Sequence, residues 1–150
     1  MLTVNEMMTP EPITLTSKHT IYDAKRLMES KRIRHIPIVS ADNTLRGLVT
    51  QRDVLSAQSS SLEKAIGELD PMHAPLECFT RKEICTVSSY GGLKEAALYM
   101  QRHKFGCLPV VDNNSLVGII TDTDFVAIAI NLLEIQEEKE PMEEEEEIVA

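Results

Sequence analysis

The sequence predicts a mixed α/β (α+β) fold made of two copies of one β-α-β-β-α unit. Three observations predict it. First, sliding the chain by 72 residues lays Ile13–Val39 over Cys85–Val111 without a gap, so that Thr14, Ser17, Ala24, Met28, Pro37 and Val39 meet Thr86, Ser89, Ala96, Met100, Pro109 and Val111. Second, "GLVTQRD" (Gly47–Asp53) returns as "GIITDTD" (Gly118–Asp124) at an offset of 71, the lost residue falling in a turn where length is cheap. Third, each copy alternates short β-type runs with apolar residues at helical spacing. A unit of about 55 residues buries little surface alone. The two are therefore expected to pack sheet to sheet about a pseudo-twofold axis and share one core.

Each element follows from its residues. Ile13–Leu15 and Ile84–Val87 read as opening strands. Ile21, Ala24 and Met28, with Leu93, Ala96 and Met100, form the apolar stripes of two helices. "IPIV" and "LPVV" read as strands, followed by Asp/Asn turns ("SADNT", "DNNS") and the strands "LRGLV" and "LVGII". Each of these enters Thr-x-x-Asp and a closing helix. The expected boundaries are 1–58 for the first unit, 59–75 for a connector, 76–136 for the second unit and 137–150 for an acidic tail. Ser60 with Glu63 reads as a capping box for a short helix inside the Ser-rich connector.

Composition bounds the function. Hydrophobic residues make up 43% of the chain, aromatics only 4%, and there is no Trp, so the core is expected to be aliphatic. Net charge is −9, of which −8 falls between Glu134 and Ala150, leaving 15 acidic against 14 basic residues elsewhere. "EEEEE" (Glu143–Glu147) repels itself and reads as a solvated, disordered tail. Cys78, Cys85 and Cys107 match no zinc or redox spacing; each reads as a small buried apolar residue in a reduced, cytoplasmic chain. No membrane-length apolar run is present in the sequence. A near-neutral folded part without an aromatic platform argues against nucleic acid. There is no Gly-rich phosphate loop, no HExxH and no nucleophile with an evident base, which argues against an enzyme. Metal spacing is likewise absent, so no metal or cofactor is expected.

Thr-x-x-Asp admits two readings. As a capping box it satisfies free amides and needs no ligand. As a binding element it combines a helix N-terminus suited to phosphate with a carboxylate able to accept ribose hydroxyls. Gly47 and Gly118 would let another backbone approach, or mark a strand kink. "KRLMESKRIRH" (Lys25–His35) is the most basic stretch; Lys25, Arg26, Lys31 and Arg32 read as a solvated helix face, whereas Arg34 and His35 sit at a strand entry beside the expected pocket.

The doubled strand–Gly–x–x–Thr–x–x–Asp, each copy preceded by "RHIPIV" or "GCLPVV", resembles the tandem cystathionine-β-synthase (CBS) domain pair, or Bateman module, over about Val4 to Leu133. Stand-alone bacterial proteins of the acetoin-utilisation type look most similar. The resemblance implies two clefts between the repeats that bind adenosine-containing ligands, such as AMP, ADP, ATP, NAD or S-adenosylmethionine. It implies that Asp53 and Asp124 hold ribose, and that Thr50, Arg52, Thr121 and Thr123 reach ribose or phosphate. It implies that Ile33–Ile36 and Phe105–Leu108, which include Arg34, His35 and Cys107, line the adenine pockets. By the same pattern Thr80 and Cys85 close the Asp53 cleft, and Met8 and Ile13 close the Asp124 cleft. The implied role is a non-catalytic regulatory module that senses nucleotide state and acts on a partner protein; the competing role is a ligand-free dimerisation scaffold. The closing helix "DFVAIAINLLEI" (Asp124–Ile135) is apolar on nearly every side, which points to a homodimer.

Overall fold

A computed structural model describes residues 1–80 and 84–139. The N-terminal segment forms a short helix α1 (Val4–Met7) and a two-residue strand β1 (Thr9–Pro10). The first repeat follows as helix α2 (Ile21–Lys31), strands β2 (His35–Val39) and β3 (Leu45–Thr50), and helix α3 (Gln51–Glu63). Two 3-10 turns, Pro71–His73 and Leu76–Phe79, lead to the second repeat: α4 (Leu93–His103), β4 (Cys107–Asp112), β5 (Ser115–Thr121) and α5 (Asp122–Lys139). β2 and β3 pair antiparallel, as do β4 and β5, while β1 adds to the far edge of β5. The two hairpins turn through residues with positive φ, Asn43 in one and Asn113–Asn114 in the other, a conformation Asn tolerates.

The structure departs from the sequence reading in four places. The opening strands contract to single parallel bridges, Leu15–Ile38 and Val87–Val110, because one residue from each segment reaches the ladder. The helix start expected at Ser60 and Glu63 is absent: Ser60 lies inside α3, whose N-cap is Thr50. The buried apolar residues form two clusters, one per repeat, in place of one shared core. Finally, the leading segments are exchanged. Val4 is fully buried in the cluster of the second repeat, whereas Met72 and Leu76 are buried in that of the first. The acidic stretch from residue 140 onward lies outside the described residues, and α5 runs to Lys139.

The exchange explains the glycines. β1 lies against β5 with Pro10 opposite Gly118, and Thr80 bridges Gly47 in the matching place. A Cβ on Gly47 would stand 2.5 Å from the Phe79 carbonyl oxygen, so only a residue without a side chain admits this crossing. At Gly118 a Cβ would collide with the Met8 sulfur and stand 3.0 Å from the Thr9 carbonyl oxygen. The register also corrects the ungapped alignment. Thr80 corresponds to Pro10, not to Met8, because the second copy carries two more residues between the crossing and the bridge that follows it.

Candidate functional site

Among the described residues, three helices begin with the same Thr–Asp device. Thr20, Thr50 and Thr121 each precede a helix, and Asp23, Asp53 and Asp124 stand three residues on. In every case one carboxylate oxygen, Oδ2, accepts from the Thr backbone N–H at 2.8–2.9 Å and from the Thr hydroxyl at 3.0–3.2 Å. The Asp amide donates back to the Thr hydroxyl at 3.2–3.3 Å. The box therefore satisfies orphan helix amides in all three places, whatever else it does.

What differs is the space in front of the box. Asp53 lines a cavity of about 800 Å³ and Asp124 lines one of about 300 Å³, whereas Asp23 lines neither. The large cavity gathers Thr50, Arg52 and Asp53 from the first repeat with Cys85, Phe105 and Cys107 from the second. The small one gathers Ile13, Ile33, Thr121, Thr123 and Asp124. Arg34, His35 and Asp122 line both. The strand-entry segments thus cross over: Ile33 faces the Asp124 cleft and its counterpart Phe105 faces the Asp53 cleft. Ile36 and Leu108 are fully buried and serve the cores.

Two expected contributors fall elsewhere. Thr80 is not among the residues lining the Asp53 cleft; its hydroxyl donates to the Glu77 carbonyl oxygen at 2.8 Å, ending a 3-10 turn. Met8 packs with the second core and lies over Gly118. The polar group at the Asp124 cleft comes instead from Thr9, whose hydroxyl donates to Asp124 Oδ1 at 3.2 Å. Among the described residues nothing engages Asp53 Oδ1. Of the thiols, Cys107 is buried as expected; Cys78 and Cys85 are exposed, against expectation, because they sit in segments that cross the surface between the repeats.

The CBS domain family profile matches residues 4–60 and 76–131. This chain belongs to the CBS domain family. A crystal structure from Vibrio cholerae, provisionally named as an acetoin utilization protein (AcuB), is 53% identical, with a TM-score of 0.82, covering 91% of this chain and 98% of that one. CBSX2 of Arabidopsis thaliana in complex with AMP is 27% identical, with a TM-score of 0.74, covering 88% of this chain and 98% of that one. Among curated proteins, the homoserine O-acetyltransferase of Methanococcus vannielii is 35% identical over 119 residues, 79% of this chain but 23% of that enzyme. The inosine-5'-monophosphate dehydrogenase of Bacillus subtilis is 34% identical over 116 residues, 75% of this chain but 22% of that enzyme. The chain thus spans less than a quarter of the curated enzymes it matches.

Sequence reasoning missed three groups in this CBS pair. Arg32 and Lys104 cap α2 and α4 in the left-handed conformation, with φ of 54° and 57°. That conformation favours glycine, and here two matched positions carry long cations instead. Arg32 lines the Asp124 cleft and Lys104 the Asp53 cleft, and both remain exposed to solvent there. Their matched spacing of 72 was the available signal. The third group is Asp122. Its Oδ1 accepts from Arg34 Nη2 at 3.0 Å, and the same nitrogen donates to Thr123 Oγ1 at 3.3 Å. Arg34 is thereby held on the Asp122 side of the divide between the clefts.

Behind that pair lie His35 and Cys107, which occupy equivalent positions at the two strand entries. A Cβ on Gly106 would stand 3.0 Å from His35 Nε2, so the ring packs directly on the second repeat. Burial pulls the His35 pKa below its ordinary value; the Asp122 carboxylate opposes this and the Arg34 guanidinium adds to it. Burial, with a smaller push from Asp122, raises the Cys107 thiol to about 12, which leaves it protonated and inert at neutral pH.

Proposed function

We propose that this CBS pair is a non-catalytic regulatory module that binds adenosine-containing ligands in its two clefts and signals nucleotide state to a partner protein. The observation that carries this reading is the contrast among the three Thr-x-x-Asp boxes: two open onto cavities rimmed by cations, and the third opens onto neither. A capping role alone has no need of that difference. The Asp53 carboxylate keeps Oδ1 for ribose, Arg52 and Lys104 stand ready for phosphate, and Phe105 offers a ring to adenine. The AMP complex of CBSX2 supports the ligand class. The short share of the matched enzymes supports a module without chemistry of its own.

A ligand at a hundred times its dissociation constant stabilises the native state by ~2.7 kcal/mol. For a chain of this length that raises the melting temperature by roughly 5–10 °C. A panel of AMP, ADP, ATP, NAD and S-adenosylmethionine should include at least one such compound. A panel that moves nothing would favour the ligand-free scaffold.

The same module is proposed to act as a homodimer. α5 has 18 residues and none of them is buried, although Val126, Ile130, Leu132 and Leu133 are 57%, 49%, 60% and 62% exposed. An apolar surface of that extent on one helix fits a second chain. Light scattering at micromolar concentration should give twice the chain mass, and Leu133→Glu should shift it toward the monomer. A monomeric wild-type protein would remove the dimer.

A further inference from the structure

We propose that the two clefts are specialised by charge, the Asp53 cleft for a phosphorylated adenine nucleotide and the Asp124 cleft for an adenosine derivative without phosphate. The proposal rests on the reading above that both clefts take adenosyl ligands. Among the described residues, the wall of the Asp53 cleft carries three cations, Arg34, Arg52 and Lys104, against the carboxylates of Asp53 and Asp122. The wall of the Asp124 cleft carries two, Arg32 and Arg34, against the three carboxylates of Glu11, Asp122 and Asp124. Both clefts open at a helix N-terminus, so the helix ends do not decide between them. The side chains do: one wall has a surplus positive charge and the other a surplus negative charge. Size runs the same way, with about 800 Å³ beside Asp53 for a nucleoside and its phosphates, and about 300 Å³ beside Asp124.

The shared pair sharpens the difference. Arg34 and Asp122 are each 50% exposed, and an ion pair so wet is weak. A phosphate in the Asp53 cleft offers Arg34 a bidentate, doubly charged partner and draws it from Asp122. Asp122 is then left uncompensated beside Asp124 and Glu11. Filling the first cleft with an anion therefore makes the second still less hospitable to one, while an uncharged ligand there loses nothing.

Titration calorimetry of the full chain with AMP and with adenosine tests this. AMP should bind once per chain. Asp53→Asn should weaken it at least about tenfold, and Asp124→Asn should leave it within about twofold. Adenosine should show the reverse pattern and should bind equally well to AMP-saturated protein. Added salt should weaken AMP and spare adenosine. Glu11→Lys, which reverses the surplus charge of the small cleft, should create a second AMP site. Two AMP per chain of similar affinity in the wild type would overturn the proposal, as would competition between AMP and adenosine for one cleft. Binding of neither compound would overturn the proposal, and the reading on which it rests would fall with it only if ADP, ATP, NAD and S-adenosylmethionine also failed to bind.

Discussion

The Asp53 and Asp124 clefts start from one pattern and end as different sites. Both begin at a glycine crossed by a foreign segment, both pass through the same Thr–Asp box, and both receive a cation from a left-handed helix end. They diverge where the sequence drifts. Arg52 faces Thr123 in register, Phe105 faces Ile33, and Gln51 faces Asp122. Asp124 Oδ1 is already engaged by Thr9, while Asp53 Oδ1 has no such partner among the described residues. Duplication conserved the parts that build a helix start and a crossing. The parts that would meet a ligand changed. The Thr20–Asp23 box forms the same hydrogen bonds without lining either cleft, so the motif by itself does not build a cleft.

The largest expected effect separates the boxes by ligand. Each Asp stands three residues past its N-cap Thr, and its carboxylate only accepts hydrogen bonds there. An Asn amide oxygen can accept the same bonds, at the loss of a charge near the helix N-terminus worth about 0.3–1 kcal/mol, so Asp23→Asn, Asp53→Asn and Asp124→Asn should leave the ligand-free melting temperature within about 4 °C of wild type. A carboxylate–ribose contact is charge-assisted and worth ~1.5–3 kcal/mol, so Asp53→Asn should weaken adenine nucleotide binding about 10- to 150-fold. Asp124→Asn should cost less and Asp23→Asn nothing. Nucleotide affinity that survives all three changes in titration calorimetry would reduce every box to a cap.

The next effect compares the two crossings. A methyl on Gly47 meets a backbone carbonyl at 2.5 Å, and backbone cannot step aside without moving the segment that covers the first core. Gly47→Ala should cost ~1–3 kcal/mol, or roughly 3–10 °C of melting temperature. At Gly118 the worst encounter is with the Met8 side chain, which is flexible, so Gly118→Ala should cost less than half as much. Equal losses in thermal unfolding would mean that the crossings are mechanically alike.

Much of this was legible in the residues, and the failures share a cause. The repeat, the strand–turn–strand units and the Thr–Asp helix starts depend on local pattern, and local pattern is what a chain displays. That Val4 belongs to the second core and Leu76 to the first is not local. Both are simply apolar residues in short segments, and no periodicity says which sheet they cover. The two-residue slip that misplaced Met8 opposite Thr80 lies where no apolar pattern fixes the register. Arg32 read only as a solvent cation, and Lys104 carried no reading, because a helix stripe says nothing about a side chain beyond the last turn. Cys78 and Cys85 are exposed where burial was expected for a related reason, since residue type alone does not say which neighbours cover a side chain.

A smaller effect compares thiols of the two environments. Cys85 is exposed on the rim of the Asp53 cleft, whereas Cys107 lies deeper in the same wall with its thiol held at about 12. Iodoacetamide at pH 8 should label Cys78 and Cys85 and leave Cys107 untouched, as read by mass spectrometry. A matched nucleotide should slow the labelling of Cys85 and leave Cys78 unchanged. An unchanged Cys85 rate would place it away from the occupied cleft, and protection of both would remove its contrast with Cys78.

The smallest effect comes from His35, where the two clefts meet. Burial lowers its pKa in the folded chain below the 6.5 of the unfolded one, so the unfolded state binds the proton more readily. The stability this contributes is complete above about pH 6.5 and is lost as pH falls through 6.5 toward the folded value. Asp42, Asp70 and Asp112, whose hydrogen bonds lower their pKa, lose their contribution only as pH falls below 3.8, in a separate window. Lowering the pH from about 7.5 to about 5.5 should therefore reduce the melting temperature, and His35→Gln should flatten that slope. A phosphate in the adjoining Asp53 cleft favours the imidazolium, so saturating nucleotide should flatten it as well. An uncharged adenosine derivative should not. A slope unchanged by His35→Gln would assign the proton to another group.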